Sequence, residues 1–178
     1  MNTDMLYKNE HDFRKGVSVV LPDLIEKNLS IVFCGTAAGK RSASVNAYYA
    51  GINNKFWDVL YEVGLTPVKL ESRQYGELLK YGIGLTDLVK HSFGNDNNLK
   101  KYEYDVERLK KTILIYKPKI LAFNGKKAAK VFYGIKEVDY GLHKDKIGFT
   151  GTYILPSTSS QANRYWDNYY WKDVAKIV

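Results

Sequence analysis

The sequence contains very little cysteine, which excludes several kinds of site. Cys34 is the only cysteine among 178 residues, so neither a disulfide nor a zinc or iron–sulfur cluster built from cysteines can form within the chain. The three histidines, His11, His91 and His143, show no metal-ligand spacing. We therefore expect no metal, no other cofactor and a reducing cytoplasmic environment.

Long hydrophobic runs are missing as well. No segment approaches the roughly 18 to 20 apolar residues of a membrane span, and residues 1–12 lack the apolar stretch of a secretion signal. We expect a protein that is neither membrane-bound nor exported and that stays in a prokaryotic cytoplasm. Its length and its 45% content of hydrophobic residues fit one globular domain over residues 1–178, which we expect to be monomeric.

Acidic residues are outnumbered by basic ones. The 27 lysines and arginines exceed the 19 acidic residues and give a net charge of +8, which favours polyanionic partners through phosphate contacts and counterion release. The chain also has 15 tyrosines, 7 phenylalanines and 3 tryptophans, which can stack on bases or fill a core. Charge and aromatic content alone do not distinguish a nucleic-acid-binding protein from other basic proteins.

Apolar runs that alternate with helical patterns predict the fold. Buried strands are predicted at residues 30–35, 82–87, 119–125 and 152–158. Amphipathic helices are predicted at residues 54–63, 104–116, 126–132 and 166–178. This alternation is typical of βαβ units, so we predict an α/β protein with three α/β/α layers and a central, mostly parallel four-stranded sheet.

The carboxyl ends of the predicted strands are where the functional residues are expected. In open α/β sheets, ligands bind just beyond these ends. The segments that follow the strands are 35–39 (GTAAG), 86–87 (TD), 124–125 (NG) and 156–160 (PSTSS). We therefore expect any chemistry to involve residues of these four segments.

Five segments of the chain resemble one known family. Residues 33–57 read FCGTAAGKRSASVNAYYAGINNKFW, and they resemble the mismatch-specific uracil/thymine-DNA glycosylases of the uracil-DNA glycosylase superfamily. The resemblance continues at 60–66 (LYEVGLT), 82–89 (GIGLTDLV), 116–128 (YKPKILAFNGKKA) and 154–160 (ILPSTSS). It therefore covers most of the chain, from residue 21 to residue 163.

The resemblance implies an activity and a partner. Enzymes of this family are monofunctional DNA glycosylases, which flip uracil or another deaminated or mismatched base out of double-stranded DNA and hydrolyse its N-glycosidic bond with water. We thus expect an enzyme of base excision repair that acts at the nucleoid. One alternative is a catalytically weak protein that binds damaged DNA through the same pocket. Another is a nucleotide-binding α/β protein, which lacks support because the sequence has no GxxxxGK[ST] motif.

The resemblance also assigns base-binding residues. Tyr49 takes the place of the aromatic ring that stacks on the flipped base; Tyr48 competes for this role, and either tyrosine could instead belong to the core. Ala37 and Gly39 leave room for a base against backbone N–H groups, and we expect that Gly39 can adopt positive φ. Asn54 is expected first as a helix cap. Further expected base-binding residues are Thr36, Ser42 and Asn124, the last with a turn role beside Gly125 as the equal alternative.

The water-binding residue of the family is missing. The family reads GINPG, whose asparagine holds the attacking water, whereas this chain has Ala37 at that position. Either the activity is lost, or a carboxylate or amide elsewhere holds water near C1′ and offsets the charge of an oxocarbenium-like state. Asp87 is the candidate catalytic residue because it is the only acidic residue in the four segments. The equal alternative is that Asp87 caps a helix starting at Leu88.

The second family motif, NPSGLSR, is altered too. Residues 157–163 read STSSQAN, and the resemblance implies that this loop wedges into the duplex where the base has left it. Gln161 takes the wedge position, and Asn163 and Arg164 are able to contact the orphan base or phosphates. The hydroxyls of this loop either orient water and the base or satisfy local backbone groups. The expected DNA-binding residues are Ser157, Ser159, Ser160, Gln161, Asn163 and Arg164.

Overall fold

The computed structural model describes residues 18–178. Within this range the strands are β1 (Ile31–Ala38), β2 (Ile83–Phe93), β3 (Ile120–Asn124), β4 (Gly141–Ile147) and β5 (Thr150–Leu155). The α-helices are α1 (Lys40–Val45), α2 (Phe56–Glu62), α3 (Val106–Tyr116), α4 (Lys126–Tyr133) and α5 (Tyr169–Ile177). The longer 3-10 helices are Ser72–Tyr81 and Ser160–Tyr165. No helix in the described part of the chain combines the length and apolarity needed to cross a membrane.

The strands form one sheet in the order β2-β1-β3-β5-β4. β1 pairs in parallel with β2 and β3, β3 pairs in parallel with β5, and β4 pairs antiparallel to β5. Helices α2 and α5 pack on one face of the sheet, and α3 and α4 pack on the other. The predicted α/β/α fold with a mostly parallel sheet is confirmed, with five strands in the described residues where four were predicted.

β4 is the strand that the sequence pattern did not predict. It reads GLHKDKI, and all its side chains are exposed or half-buried. It lies at the edge of the sheet, where charged side chains hinder pairing with other chains. Because such a strand needs no alternation of apolar and polar residues, its sequence lacks the usual strand signal.

β2 is longer than predicted, because the strand at 82–87 continues to Phe93. The first eight residues of β2, from Ile83 to Lys90, are all buried. Asp87 therefore lies inside a strand, and the alternative that it caps a helix starting at Leu88 is wrong.

A distant segment explains why this edge strand is buried. Leu24 and Leu85 exchange two backbone hydrogen bonds of 2.9 Å, and the Val20 N–H donates to the Lys90 carbonyl at 2.8 Å. Residues 20–24 thus cover the outer edge of β2 as an extended strap. The pairing satisfies backbone groups that an edge strand would otherwise leave open.

Of the four predicted helices, α4 begins at the predicted residue and α2 and α3 begin two residues later, whereas α1 was not predicted. The Asp105 side chain accepts a hydrogen bond from the Arg108 N–H at 2.9 Å and caps α3. The Asn54 side chain accepts from the Phe56 N–H at 3.0 Å, but the N-cap of α2 is Lys55, so Asn54 supports the start of the helix from one position before the cap. α5 begins at Tyr169, three residues later than predicted, because the 3-10 helix precedes it.

Two apolar cores lie on the two faces of the sheet. Because successive strand residues point to opposite faces, Phe33 packs with the core of α2 and α5, whereas Val32 packs with that of α3 and α4. The Phe33 and Trp171 rings are stacked with their centroids 5.3 Å apart. The Trp171 indole also donates to the Pro156 carbonyl at 3.1 Å, so α5 fixes the start of the 156–160 loop.

Candidate active site

One row of residues crosses the sheet at the carboxyl ends of four strands. Asp87 of β2 is in register with Gly35 of β1, and Asn124 of β3 is in register with Leu155 of β5. The register between β1 and β3 makes Gly35 and Asn124 neighbours as well. Strand alternation directs this row toward the face that packs against α2 and α5. The sheet therefore brings together two predicted site residues that lie 37 positions apart.

Gly35 leaves a small space in this row because it has no side chain. A Cβ at this position would lie 2.4 Å from the Asp87 Oδ1 and 3.5 Å from the Tyr49 hydroxyl oxygen. The two oxygens thus converge above Gly35. Sequence reasoning named Asp87 and Tyr49 but did not predict that a glycine allows them to meet.

Asp87 is buried, with 3% of its surface exposed. Burial raises the pKa of its carboxyl from an ordinary 3.8 to about 7. The Asp23 carboxylate acts in the same direction, whereas Lys90 and Arg108 lower the pKa because they favour the charged form. Near neutral pH both forms of Asp87 are populated, so the group can accept or donate a proton.

A buried ion-pair network lies close to Asp87. The Asp23 carboxylate is 2.7 Å from the Lys90 ammonium and 2.7 Å from the Arg108 guanidinium. Lys90 also donates to the Tyr48 hydroxyl at 3.1 Å. Burial raises the pKa of Asp23, but the two cations outweigh it and the pKa is lowered overall. Sequence reasoning missed this network, although a lysine at the end of the apolar run 82–89 was a signal of it.

The two adjacent tyrosines have different positions. Tyr48 is 1% exposed and its hydroxyl donates to the Pro22 carbonyl at 3.1 Å, so it belongs to the core. Tyr49 is half-buried, and its ring stacks on Phe56 with 3.8 Å between centroids. The Tyr49 hydroxyl is buried near the Asn124 amide, yet within the described residues no partner meets hydrogen-bond geometry. Tyr49, rather than Tyr48, is therefore at the candidate site.

Asn124 links the end of β3 to the loop after β5. Its amide nitrogen donates to the Thr158 hydroxyl at 2.9 Å, and its amide oxygen accepts from the Thr158 N–H at 3.0 Å. Both residues are buried. Asn124 thus shapes the 156–160 loop, and one amide N–H and one lone pair remain beyond its bonds to Thr158, near the Tyr49 hydroxyl.

Three predicted base-binding residues lie at the end of β1 or directly after it. The Ser42 hydroxyl accepts from the Ala50 N–H at 3.1 Å, so Ser42 holds the backbone instead of facing a base. Gly39 has φ −69°, and the expectation of positive φ there is wrong. Ala37 follows Gly35 by two positions on the same strand face and carries no polar side-chain atom.

Thr36 is directed to the opposite face from Asp87 because neighbouring strand residues alternate. Its hydroxyl interacts with the Asp96 carboxyl, in the loop after β2, and Lys127 at the start of α4 is near the same carboxyl. Desolvation of the carboxyl raises the pKa of Asp96, opposed by Thr36 and Lys127, although the residue as a whole is exposed. Asp96 is a second carboxyl at this end of the sheet that sequence reasoning missed, because the loop around it follows no pattern.

The second motif folds into a loop and a short 3-10 helix. The Ser159 hydroxyl accepts from the Gln161 N–H at 3.4 Å, and the Ser157 hydroxyl accepts from the Ser159 N–H at 3.3 Å. These serines therefore satisfy local backbone groups, which was one of the two expectations. The residues of this segment that are exposed are Ser160, Gln161, Asn163, Arg164 and Tyr165.

Basic side chains surround this end of the sheet. They come from the start of α1, directly after β1, from the loop before α2, from the start of α4 and from the 3-10 helix. Such a distribution suits contacts with DNA phosphates. The basic residues are Lys40, Arg41, Lys55, Lys127 and Arg164.

The described residues form no metal site. Between residues 18 and 178, no three side chains of His, Cys, Asp or Glu are grouped so that they could hold an ion. His11 and the N-terminal segment 1–12 lie outside the described residues.

Fold and site together define a basic α/β protein with a buried carboxyl at the carboxyl ends of parallel strands. The family model of the Uracil DNA glycosylase superfamily matches residues 22–177. The chain therefore belongs to the uracil DNA glycosylase superfamily, which confirms that part of the resemblance and supports a DNA glycosylase role.

A solved structure shows the same fold. It is the solution NMR structure of a candidate uracil DNA glycosylase from Methanosarcina acetivorans, with a TM-score of 0.62 and 23% sequence identity. The match covers 88% of this chain and 94% of that chain.

Proposed function

We propose that this protein is a monofunctional DNA glycosylase of the mismatch-specific type that acts as a monomer in base excision repair in the cytoplasm. It flips uracil or another deaminated or mismatched base out of double-stranded DNA and hydrolyses the N-glycosidic bond. The observation that carries the proposal is that the buried Asp87 carboxyl and the Tyr49 hydroxyl converge above Gly35, at the carboxyl ends of the parallel strands.

Asp87 is the catalytic residue in this proposal. Its carboxylate accepts a proton from a water molecule while the water oxygen forms a bond to C1′ of the flipped nucleotide. The C1′–N bond breaks, the base leaves with the bonding electrons, and the carboxylate offsets the positive charge that develops on the sugar. Ala37, on the same strand face, leaves space where related enzymes have an asparagine.

Tyr49 and Asn124 bind the base in this proposal. Phe56 covers one face of the Tyr49 ring, so a flipped base would stack on the rest of that ring. The amide N–H of Asn124 that Thr158 does not use is able to read a base edge. The backbone of residues 36–39 lines the same space.

The loop at 157–164 contacts the DNA in this proposal. Gln161 faces the orphan base as a polar plug, while Ser160, Asn163 and Arg164 contact the flanking backbone. Ser157 and Ser159 act through the loop conformation that their hydroxyls maintain.

Single-turnover base release tests the proposed function. The protein is incubated with duplexes that carry one G·U, G·hypoxanthine or G·xanthine pair, and abasic sites are then broken with alkali. We expect alkali-dependent breaks at one or more of these pairs and none in a G·C duplex. Breaks without alkali would contradict a monofunctional mechanism.

Ala37 favours a second candidate, a damaged-DNA-binding protein that has lost hydrolysis. This protein would retain the pocket and the loop at 157–164. Tight binding of uracil-containing duplex with no release of any of the three bases would establish it.

Gly35 offers a sharp test of the site geometry. In Gly35→Ala the new Cβ would lie 2.4 Å from the Asp87 Oδ1, so the carboxylate must move. We expect base release to slow by about 100-fold, since a misplacement of about 1 Å is enough for such a loss. Single-turnover base release from the G·U duplex measures the effect.

Gly76→Ala is the matched control for this prediction. Gly76 lies in the 3-10 helix Ser72–Tyr81, outside the candidate site, and a Cβ there meets no atom within 4 Å. We expect a rate within about twofold of the native protein. Equal rates in the two variants would show that the space above Gly35 has no part in the reaction.

A further inference from the structure

A large apolar side chain is exposed in the loop before α2. Ile52 has 72% of its surface exposed. It lies in a tight turn in which the Asn54 N–H donates to the Gly51 carbonyl at 3.1 Å, and the next residue, Asn53, has φ 59°. A turn of this kind projects its central side chains outward, so Ile52 stands at the tip of the loop.

The loop is joined to the candidate site at both ends. Ile52 follows Tyr49 by three residues, so the Cα atoms of Tyr49 and Ile52 lie within about 11 Å of each other. At its other end the Lys55 N–H donates to the Thr158 carbonyl at 2.9 Å, and the Lys55 ammonium contacts the Asn163 amide oxygen. Ile52 therefore stands beside the 157–164 loop, on the side of the site that DNA must approach.

The backbone around Ile52 is held in place. The Ala50 N–H donates to the Ser42 hydroxyl at 3.1 Å, and the Asn54 side chain accepts from the Phe56 N–H at 3.0 Å. These bonds fix the loop on α1 and α2, so the isoleucine cannot fold back onto the core without breaking them.

The neighbouring loop at 157–164 lacks a large apolar side chain that could fill a gap in a base stack. Residues 160–164 read SQANR, and alanine is their only apolar side chain. A flipped nucleotide leaves a gap in the stack, and proteins often fill such a gap with an apolar wedge. Tyr165 ends the 3-10 helix of this loop and is 63% exposed, but its phenol carries a polar hydroxyl. Ile52 is a large exposed side chain near this loop that is wholly apolar.

We propose that Ile52 enters the base stack of duplex DNA beside the flipped nucleotide, opposite Gln161. The inference rests on the proposed function, because it requires a flipped nucleotide in the site. Ile52 stabilises the extruded state by filling the vacated space, and Gln161 hydrogen-bonds the orphan base. The two loops act together because Lys55 joins them.

The test compares duplex and single-stranded substrates. A wedge matters only where a stack must be opened, so Ile52→Ser should slow base release from a G·U duplex by about tenfold. Release from a single-stranded uracil oligonucleotide should stay within about twofold, because its base is already unstacked. An equal loss on both substrates, or no loss on either, would overturn the inference.

Ile135→Ser is the matched control. Ile135 is also exposed, at 42%. It follows α4, which runs from the carboxyl ends of the strands back toward their amino ends, away from the candidate site. We expect native rates on both substrates. A duplex-specific loss in Ile135→Ser as well would overturn the assignment to Ile52.

A binding measurement separates this inference from the proposed function. A 2-aminopurine next to the uracil becomes more fluorescent when the stack opens. We expect the increase with the native protein and a clear reduction with Ile52→Ser, whether or not the base is released. If the native protein opens the stack but releases no base, the proposed function fails while the Ile52 comparison still decides the inference. The same fluorescence change with both proteins, or no change with the native protein, would overturn it.

Discussion

Replacing Asp87 with alanine is expected to slow base release from a G·U duplex by about 1,000-fold, within the range observed for loss of a general base. Asp87→Asn should lose less, about 100-fold, because its amide can still hold water but cannot accept a proton. Single-turnover assays at pH 7 measure both rates, and a fluorescence titration with uracil-containing duplex checks that binding is retained. Rates like that of the native protein would show that Asp87 is not the catalytic residue.

Glu137→Gln is the matched control for the loss of one carboxylate. The Glu137 side chain is 87% exposed and pairs with Lys130 at 3.2 Å, at a distance from the row formed by Asp87 and Gly35. Its removal should leave the rate within about twofold, as for most surface substitutions. A loss as large as in Asp87→Asn would point to a general charge effect on DNA binding.

The stability of Asp87→Asn provides a test of the raised pKa of the Asp87 carboxyl. The pKa of Asp87 is about 7 in the folded protein and near 3.8 when unfolded. As pH rises from 4 to 7, the unfolded chain loses this proton first, so the native protein loses about 1.4 kcal/mol per pH unit. Asparagine mimics the neutral form and avoids this loss.

We therefore expect Asp87→Asn to gain stability relative to the native protein as pH rises. The difference in the free energy of unfolding should grow by about 4 kcal/mol between pH 4 and pH 8, with most of the change below pH 7. Denaturant titrations of both proteins at several pH values measure it. A difference that is independent of pH would show that the pKa of Asp87 is not raised by burial.

Removal of the buried ammonium group should have the largest effect on stability. In Lys90→Met, a side chain of similar length replaces the cation, and of the two cations that pair with Asp23 in the described residues Arg108 remains. Breaking a buried ion pair from one side costs about 3 kcal/mol or more, because the remaining charge is left poorly compensated. Urea denaturation should show this loss as a lower midpoint.

Lys69→Met is the control, since it breaks an ion pair of similar length on the surface. Lys69 lies 2.6 Å from Asp58, and 62% of its side chain is exposed, whereas the Lys90 side chain is 4% exposed. A surface pair contributes about 0 to 1 kcal/mol. Equal losses in the two variants would show that burial adds nothing to the Lys90 pair.

Much of the fold followed from local sequence patterns. The helices at 104–116 and 126–132 have apolar residues at helical spacing, and the structure confirms both within two residues. The strands at 30–35 and 119–125 are short apolar runs, and β1 and β3 occupy them. Such patterns depend on neighbouring residues, so they can be read without knowledge of tertiary contacts.

The candidate site was predicted less completely, because its geometry depends on strand register. The sequence pointed to Asp87, Tyr49 and Asn124 individually. It did not show that Asp87 lies inside β2, because the strap at 20–24 that pairs with this strand is distant in sequence. It also did not show that Gly35 gives the carboxylate and the phenol room to meet.

The sequence by itself determined the α/β class, the superfamily resemblance and the candidacy of Asp87 for the place that Ala37 leaves vacant. Only the tertiary structure decided that Asp87 is buried, that Tyr49 rather than Tyr48 stands beside it, and that Lys90 and Arg108 moderate its pKa. The physical reason is that burial and charge depend on groups distant in sequence. Asp23 and Arg108, for example, are 85 residues apart and meet only after β2 has paired on both of its edges.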